Sequence, residues 1–313
     1  MRRIWLTATT ASRPHRAEHI PGRVTDVTRY GVVELGGTKT LVAVGTTPDD
    51  LYDVQRFETA DPDSTLGSVI DVLAAQNLSA VGVASFGPLE LRRDHADFGV
   101  ITNTPKPGWR GAPVWRRLVN ALGVPVGIDT DVNGAARGEG QWGAAVGLTH
   151  FLYVTVGTGI GGGAVVEGET LTGLGHPEMG HLVVEQHHAD PYPGRCPFHG
   201  GCLEGMASGP ALEDRFGPVA SWNRAEVLEL AVFYLAQGLR GMVYTLAPQR
   251  IVVGGGVSKI AGFHDALRSA LMVRLGDYPG LEEHMAEDFV VAPALGDHAG
   301  LAGGLVLAAQ AAE

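Results

Sequence analysis

Two glycine-rich turns, each set between short β-branched runs, constrain this chain more than any other feature. In the first, "GVVEL" and "TLVAVG" flank Gly36-Gly37-Thr38-Lys39; in the second, "FLYVTVG" and "GGAVVEGE" flank "TGIGG". Short apolar runs broken by glycine read as strand, turn and strand, so two hairpins are expected, the second over 151–167. Between and after them, helix-like stretches (63–76, 111–122, 131–145, 223–247, 261–275 and a final Ala-rich segment) alternate with strand-like runs (80–85, 124–129, 250–256 and 289–293). This alternation predicts mixed α/β lobes. The length of 313 residues exceeds the roughly 250–300 at which single cores stop growing. Two related halves follow, each opening on a glycine turn, with a loop-rich region at 168–202.

The turns resemble nucleotide motifs but fail their context. "GTGIGG" fits G-x-G-x-x-G through Gly157, Gly159 and Gly162, yet a strand-like run follows where a dinucleotide fold needs a helix. "GGTKT" lacks the glycine that a phosphate loop carries before its lysine, and a strand follows there too. Turns of this kind can still cradle phosphate with successive backbone N–H groups and a threonine hydroxyl; the alternative, an ordinary hairpin turn, is weakened by two such turns opening two similar halves. "IDTDVNGAARGEG" (128–140) opens like a calcium loop, but Gly140 occupies the twelfth position, where a glutamate is required. Its acids lie where a strand gives way to a helix, a place for a ligand-facing carboxylate in an open α/β sheet. Capping the helix would occupy one and leave the other free.

Charge and hydropathy narrow the partners. A net charge of -11 argues against nucleic acid, whose binding depends on Lys and Arg neutralising phosphates. No apolar run approaches the ~20 residues that span a bilayer, so membranes are not expected partners and a cytoplasmic location is. Residues 1–29 are Arg-rich and without helical or strand period, and are expected to be a disordered extension or the product of an upstream start; Glu18 and Asp26 weaken a transit-peptide reading. Both cysteines of the chain lie in "RCPFHGGC" (195–202). A disulfide there would close a tiny loop in a reducing compartment. Zinc fits better, with C-x2-H-x2-C supplying three tetrahedral ligands; His187 and His188 are nearby competitors for the fourth position, or members of a solvated loop.

Eight motifs, in order, carry a resemblance: "ELGGTKT", "SFGP" (85–88), "TPKPGW" (104–109), "DTDVNGAARGE", "VTVGTGIGGG", "GHPEMGH" (175–181), "CPFHGGCLEGMASGPA" (196–211) and "VVGGGVS" (252–258). Together they resemble the ROK family of sugar kinases, within the actin-like ATPase superfamily, and most closely its fructokinases, over about residues 30–310. The resemblance implies two ribonuclease-H-like lobes with ATP and a hexose meeting in the cleft between them. It divides the chain into an N-terminal lobe over 30–128, joined by a C-terminal helix over 298–312, and a C-terminal lobe over 129–297 carrying the zinc loop. Gly36, Gly37, Thr38 and Lys39 would form one phosphate loop, Gly157, Thr158 and Gly159 the other, and Gly254, Gly255 and Gly256 the adenosine-side loop.

By the same resemblance, Asp131 would be the general base and Glu34, where many members have Asp, would hold Mg2+ through water. Glu178, His181, Asn103 and Asp129 would contact the sugar; Asn103 departs from the glucokinase pattern, since this chain reads "TNTPKPGW". His181 would also complete a closed, structural zinc site with Cys196, His199 and Cys202, shaping the sugar pocket without doing chemistry. Glucokinases of the family more often have a third cysteine where His199 stands. The implied activity is phosphorylation of the fructose 6-hydroxyl by a homodimer; glucose or mannose as substrate, or a non-catalytic sugar-sensing regulator without its DNA-binding domain, are the alternatives.

Overall fold

The computed structural model describes residues 28–222, 225–276 and 278–313. The expected extension therefore lies almost entirely outside the described residues, as do the first two positions of the helix anticipated at 223. The first hairpin is β1 (Tyr30–Leu35) and β2 (Lys39–Gly45), followed by β3 (Tyr52–Glu58), α1 (Pro62–Ala74), β4 (Ala80–Ser85), α2 (Val114–Leu122), β5 (Val126–Thr130) and α3 (Asp131–Trp142). The second is β6 (Phe151–Val156) and β7 (Ile160–Val166), followed by β8 (Glu169–Thr170), α4 (Leu203–Ala207), α5 (Gly209–Phe216), α6 (Ala225–Leu246), β9 (Arg250–Gly254), α7 (Phe263–Leu275), β10 (Val290–Val291) and α8 (Ala299–Ala312).

These strands form two five-stranded sheets of one design. The first runs β3-β2-β1-β4-β5 and the second, read from its far edge, β8-β7-β6-β9-β10. In both, the opening hairpin is antiparallel and the later strands lie parallel to its first strand. The alternation of side chains along each strand sorts them between two layers. Val33, Leu35, Val42 and Val83 meet Leu66, Val69 and Leu118 of α1 and α2, whereas Val32, Leu41 and Ala43 meet Leu301 and Leu305 of α8. In the second sheet Leu152, Val154 and Val253 face α6 and α7, and Phe151, Tyr153 and Val252 face α3.

The last helix thus leaves the second half and covers the first sheet. It lies so close that a Cβ at Gly82 of β4 would stand 1.8 Å from the Gly304 carbonyl oxygen. Glycine is required there by space rather than by backbone angle. The helices are punctuated locally: Asp61 caps α1 by accepting from the amides of Asp63 and Ser64 at 2.9 and 3.0 Å, and Gly123 closes α2 in the left-handed conformation. Three features lacked a readable period. β3 is almost wholly exposed and shows no apolar alternation, while β8 and α4 are short and take their form from what they pack on.

Candidate active site

The glycine turns and the acids converge because parallel strands deliver their carboxyl ends to one crevice. Glu34 and the 36–38 turn leave β1, Asp131 follows β5, the 157–159 turn leaves β6, and Gly254–Gly256 ends β9. The first turn is closed by the Gly36 amide donating to the Lys39 carbonyl at 3.0 Å. Buried Thr59 braces it from outside: its hydroxyl donates to the Gly36 carbonyl at 2.7 Å and its amide to that of Thr38 at 3.0 Å. The second is closed by the Gly157 amide on the Gly159 carbonyl at 2.9 Å, and the Glu204 carboxylate accepts the next free amide, that of Ile160, at 2.9 Å.

Gly255 has φ +91°, and a Cβ there would sit 2.4 Å from the Val156 carbonyl oxygen. The third glycine loop can therefore lie directly against the end of β6. Between these two loops opens a cavity of about 300 Å³, lined by Gly157, Thr158, Gly209, Pro210, Trp222 and Gly256 among others. Gly209, Pro210 and Trp222 were not among the residues singled out from the sequence. The "ASGPA" end of the zinc-loop motif was the available signal for the first two; Trp222 had none.

The acids share one electrostatic field. Asp131 opens α3, but the cap is Thr130, whose hydroxyl accepts the Asn133 amide at 3.1 Å. Neither acid is used as the cap. Asp131 keeps one bond, from the Val132 amide at 2.9 Å, and burial pushes its pKa up to about 6. Burial likewise pushes Glu34 up to about 7, with Lys39 opposing the shift and Asp131 and Asp297 adding to it. Glu178 is raised to about 7, first by burial and then by Glu204 and Asp131. Asp131 thus acts electrostatically on both Glu34 of the first sheet and Glu178 of the second half. Glu34 Oε2 is buried without a hydrogen-bond partner, and an orphaned carboxylate oxygen facing further acids fits a divalent cation or its water.

Two expected sugar contacts stand differently. Asp129 is 5% exposed. One of its oxygens accepts from the Thr130 amide and Asn133 Nδ2 at 2.8 and 2.7 Å, the other from Arg137 Nε and Thr170 Oγ1 at 3.4 and 3.2 Å. A carboxylate offers about four acceptor positions, so this one is filled. Asp129 joins β5, α3 and β8, its oxygens engaged within the protein. Asn103 is exposed in the bend after Thr102. In the same segment Lys106 donates to the Thr59 carbonyl at 2.8 Å and Trp109 Nε1 to that of Ala60 at 2.7 Å, which ties the segment to the brace of the first turn.

His181, Cys196, His199 and Cys202 come together with their ligand atoms all within 4.8 Å of one another. His181 Nδ1 lies 3.5 Å from Cys202 Sγ and 3.7 Å from Cys196 Sγ, and His199 Nδ1 lies 3.7 Å from Cys196 Sγ. Tetrahedral zinc with Zn–S about 2.3 Å and Zn–N about 2.1 Å requires ligand separations of about 3.6 Å, and the spacing fits. Both cysteines are free thiols; burial pushes Cys202 up to about 11, so a thiolate there needs a cation beside it. His187 and His188 lie outside the cluster, His187 packing edge-on against Phe233. The loop is held by buried Asp190, which accepts from Arg215 at 2.6 Å and from the Tyr234 hydroxyl at 2.7 Å.

With the geometry in hand, the chain can be set beside known proteins. The sequence model of the ROK family matches residues 30–311. A protein of Bacillus subtilis (strain 168) is 44% identical over 286 residues, covering 90% of this chain and 95% of its own. The fructokinase of Zymomonas mobilis is 41% identical over 295 residues, with 90% and 97% covered. Among solved structures, a ROK family glucokinase from Streptomyces griseus in complex with glucose and AMPPNP superposes with a TM-score of 0.72 at 25% identity, over 90% of this chain and 99% of that one.

Proposed function

The chain belongs to the ROK family, with its actin-like ATPase fold, and from that premise we propose that it is an ATP-dependent fructokinase that transfers the γ-phosphoryl group to the fructose 6-hydroxyl. The observation that carries the reading is the position of Asp131. It opens a helix that Thr130 caps in its place, at the end of β5, and its charge is felt by both Glu34 and Glu178.

The sugar hydroxyl oxygen attacks the γ-phosphorus, the bond from that phosphorus to the β-bridging oxygen breaks, ADP leaves, and the hydroxyl proton passes to the Asp131 carboxylate. A pKa raised to about 6 makes this a stronger base than an ordinary aspartate while leaving it ionised near neutral pH. Backbone amides of Gly36, Gly37 and Thr38, with Lys39, and of Gly157, Thr158 and Gly159 would hold the phosphates; the cavity beside Gly254, Gly255 and Gly256 would take the adenosine. Glu34 would hold Mg2+, which would supply neutralisation of phosphate charge. Glu178 and His181 would bind the sugar hydroxyls. The support for fructose over other hexoses is the identity to the Zymomonas mobilis fructokinase over 90% of the chain.

We further infer a structural zinc on His181, Cys196, His199 and Cys202, a division into 30–128 with 298–312 and 129–297, and a homodimer in the cytoplasm. No helix among the described residues is long and apolar enough to cross a membrane. Coupled ADP release with fructose, mannose and glucose in ATP and magnesium tests the activity. The highest kcat/KM is expected with fructose. A glucose preference would make the enzyme a glucokinase, and sugar binding without ADP release would favour a sensing regulator.

A further inference from the structure

Glu178 is the proposed sugar ligand with the least support of its own. About half of its side chain is exposed, and a glutamate in such a setting has several rotamers of similar energy. Beside it stands His176, two residues earlier in the loop between β8 and the Met179–His181 turn. The His176 side chain is only 9% exposed, and its Nδ1 lies 3.5 Å from Glu178 Oε1. Its Nε2 accepts the backbone amide of Leu89 at 3.1 Å.

Leu89 belongs to the other half of the molecule. It is 4% exposed, packs in the core of the first sheet, and is held by a bridge to Ile101. The bond therefore crosses from one sheet's unit to the other's beside the crevice. It also sets the tautomer. A ring nitrogen that accepts from an amide carries no proton, so in the neutral ring the proton is on Nδ1, which has both Glu178 Oε1 and the Pro177 backbone within reach. Burial favours the neutral ring, holding His176 below the usual histidine range. Separation of the two halves would remove the Leu89 donor and with it the reason for this tautomer and ring orientation.

We propose that His176 is a positioning residue that ties the orientation of Glu178 in the sugar pocket to the approach of the two halves of the molecule. The inference rests on the sugar-kinase reading of the site. Sugar binding on Glu178 then favours the closed arrangement, and closure preorganises Glu178 for sugar. The coupling is reciprocal.

The test compares wild type with His176→Gln, whose amide oxygen can still accept from Leu89, and His176→Phe, which keeps the ring but loses both polar contacts. KM for fructose is expected to rise about tenfold in the Phe variant, the effect of one lost polar contact to a charge. KM for ATP should stay within about twofold of wild type, and the Gln variant should recover part of the loss. Hydrogen exchange supplies a readout independent of turnover: fructose should slow exchange of the Leu89 amide in wild type and not in the Phe variant. A Phe variant with a lowered melting temperature but unchanged KM for fructose, or with unchanged Leu89 protection, would overturn the proposal. Failure of wild type to phosphorylate any hexose would instead defeat the kinase reading, and exchange at Leu89 in sugar-free wild type and Phe variant would still report whether the cross-sheet bond exists.

Discussion

Thr130 takes the capping bond itself and so leaves Asp131 available for the proposed role of general base. Asp131→Asn keeps the size of the side chain and loses the proton acceptor. We expect kcat to fall by roughly 10² to 10⁴ with ATP binding intact, measured by steady-state kinetics beside nucleotide titration; undiminished turnover would place the base elsewhere. Because the carboxylate must be ionised to accept a proton, kcat/KM should also decline as pH drops through about 6. Glu34 makes the opposite bargain with stability. Its folded pKa of about 7 lies above the ordinary 4.5, so the native state holds the proton more tightly than the unfolded chain. Stability is then lost as pH rises from about 4.5 through 7. Glu34→Gln removes a charge that is penalised at pH 8. The ligand-free variant should be more stable there by about 1–3 kcal/mol while turning over more slowly, by calorimetry and assay. A destabilised variant would mean that the carboxylate has a stabilising partner after all.

At the scale of elements, the 195–202 loop is the segment whose form would depend most on the proposed zinc. Cys202 stands immediately before α4, and Glu204 in that helix accepts the Ile160 amide at the second glycine turn. Losing the metal should therefore be felt beyond the loop. Purified protein is expected to carry about one zinc per chain by elemental analysis. Cys202→Ser should lose it, lower the melting temperature by roughly 5 °C or more, and raise KM for ATP, since the Ile160 anchor moves with α4. Zinc missing from protein prepared without chelator would reject the site. The same segment shows what spacing conveys and what it omits. C-x2-H-x2-C named three ligands, because a short loop must bring its own side chains together. From the residues alone the fourth lay open between histidines near in sequence; His181, fifteen residues before Cys196, was implied only by the family's pattern. It reaches the cluster because the Met179–His181 turn and the Val183–Cys202 bridge fold the chain back on itself.

Across the whole molecule, the repeated hairpins were legible because a strand, a glycine turn and a second strand are decided by neighbouring residues. The helices at α1, α2, α3, α6 and α7 were legible for the same reason, their apolar period being local. β3 was not, since an exposed edge strand reading YDVQRFE has no buried face to leave a pattern. Asp129 and Asp131 show the limit at the site. Two residues apart in one motif, they are equivalent on paper as acids at a strand's end. In the fold, Asn133, Arg137 and Thr170 occupy acceptor positions of the first, while the second keeps a single amide bond. The sequence by itself determined the elements, the glycine turns and the kinds of group available for phosphate, metal and proton. Only the tertiary structure decided which carboxylate oxygens remain without partners and that His176 reaches across to Leu89. Those outcomes depend on residues far apart along the chain, whose meeting is fixed by packing and by the need of every buried polar group for a partner.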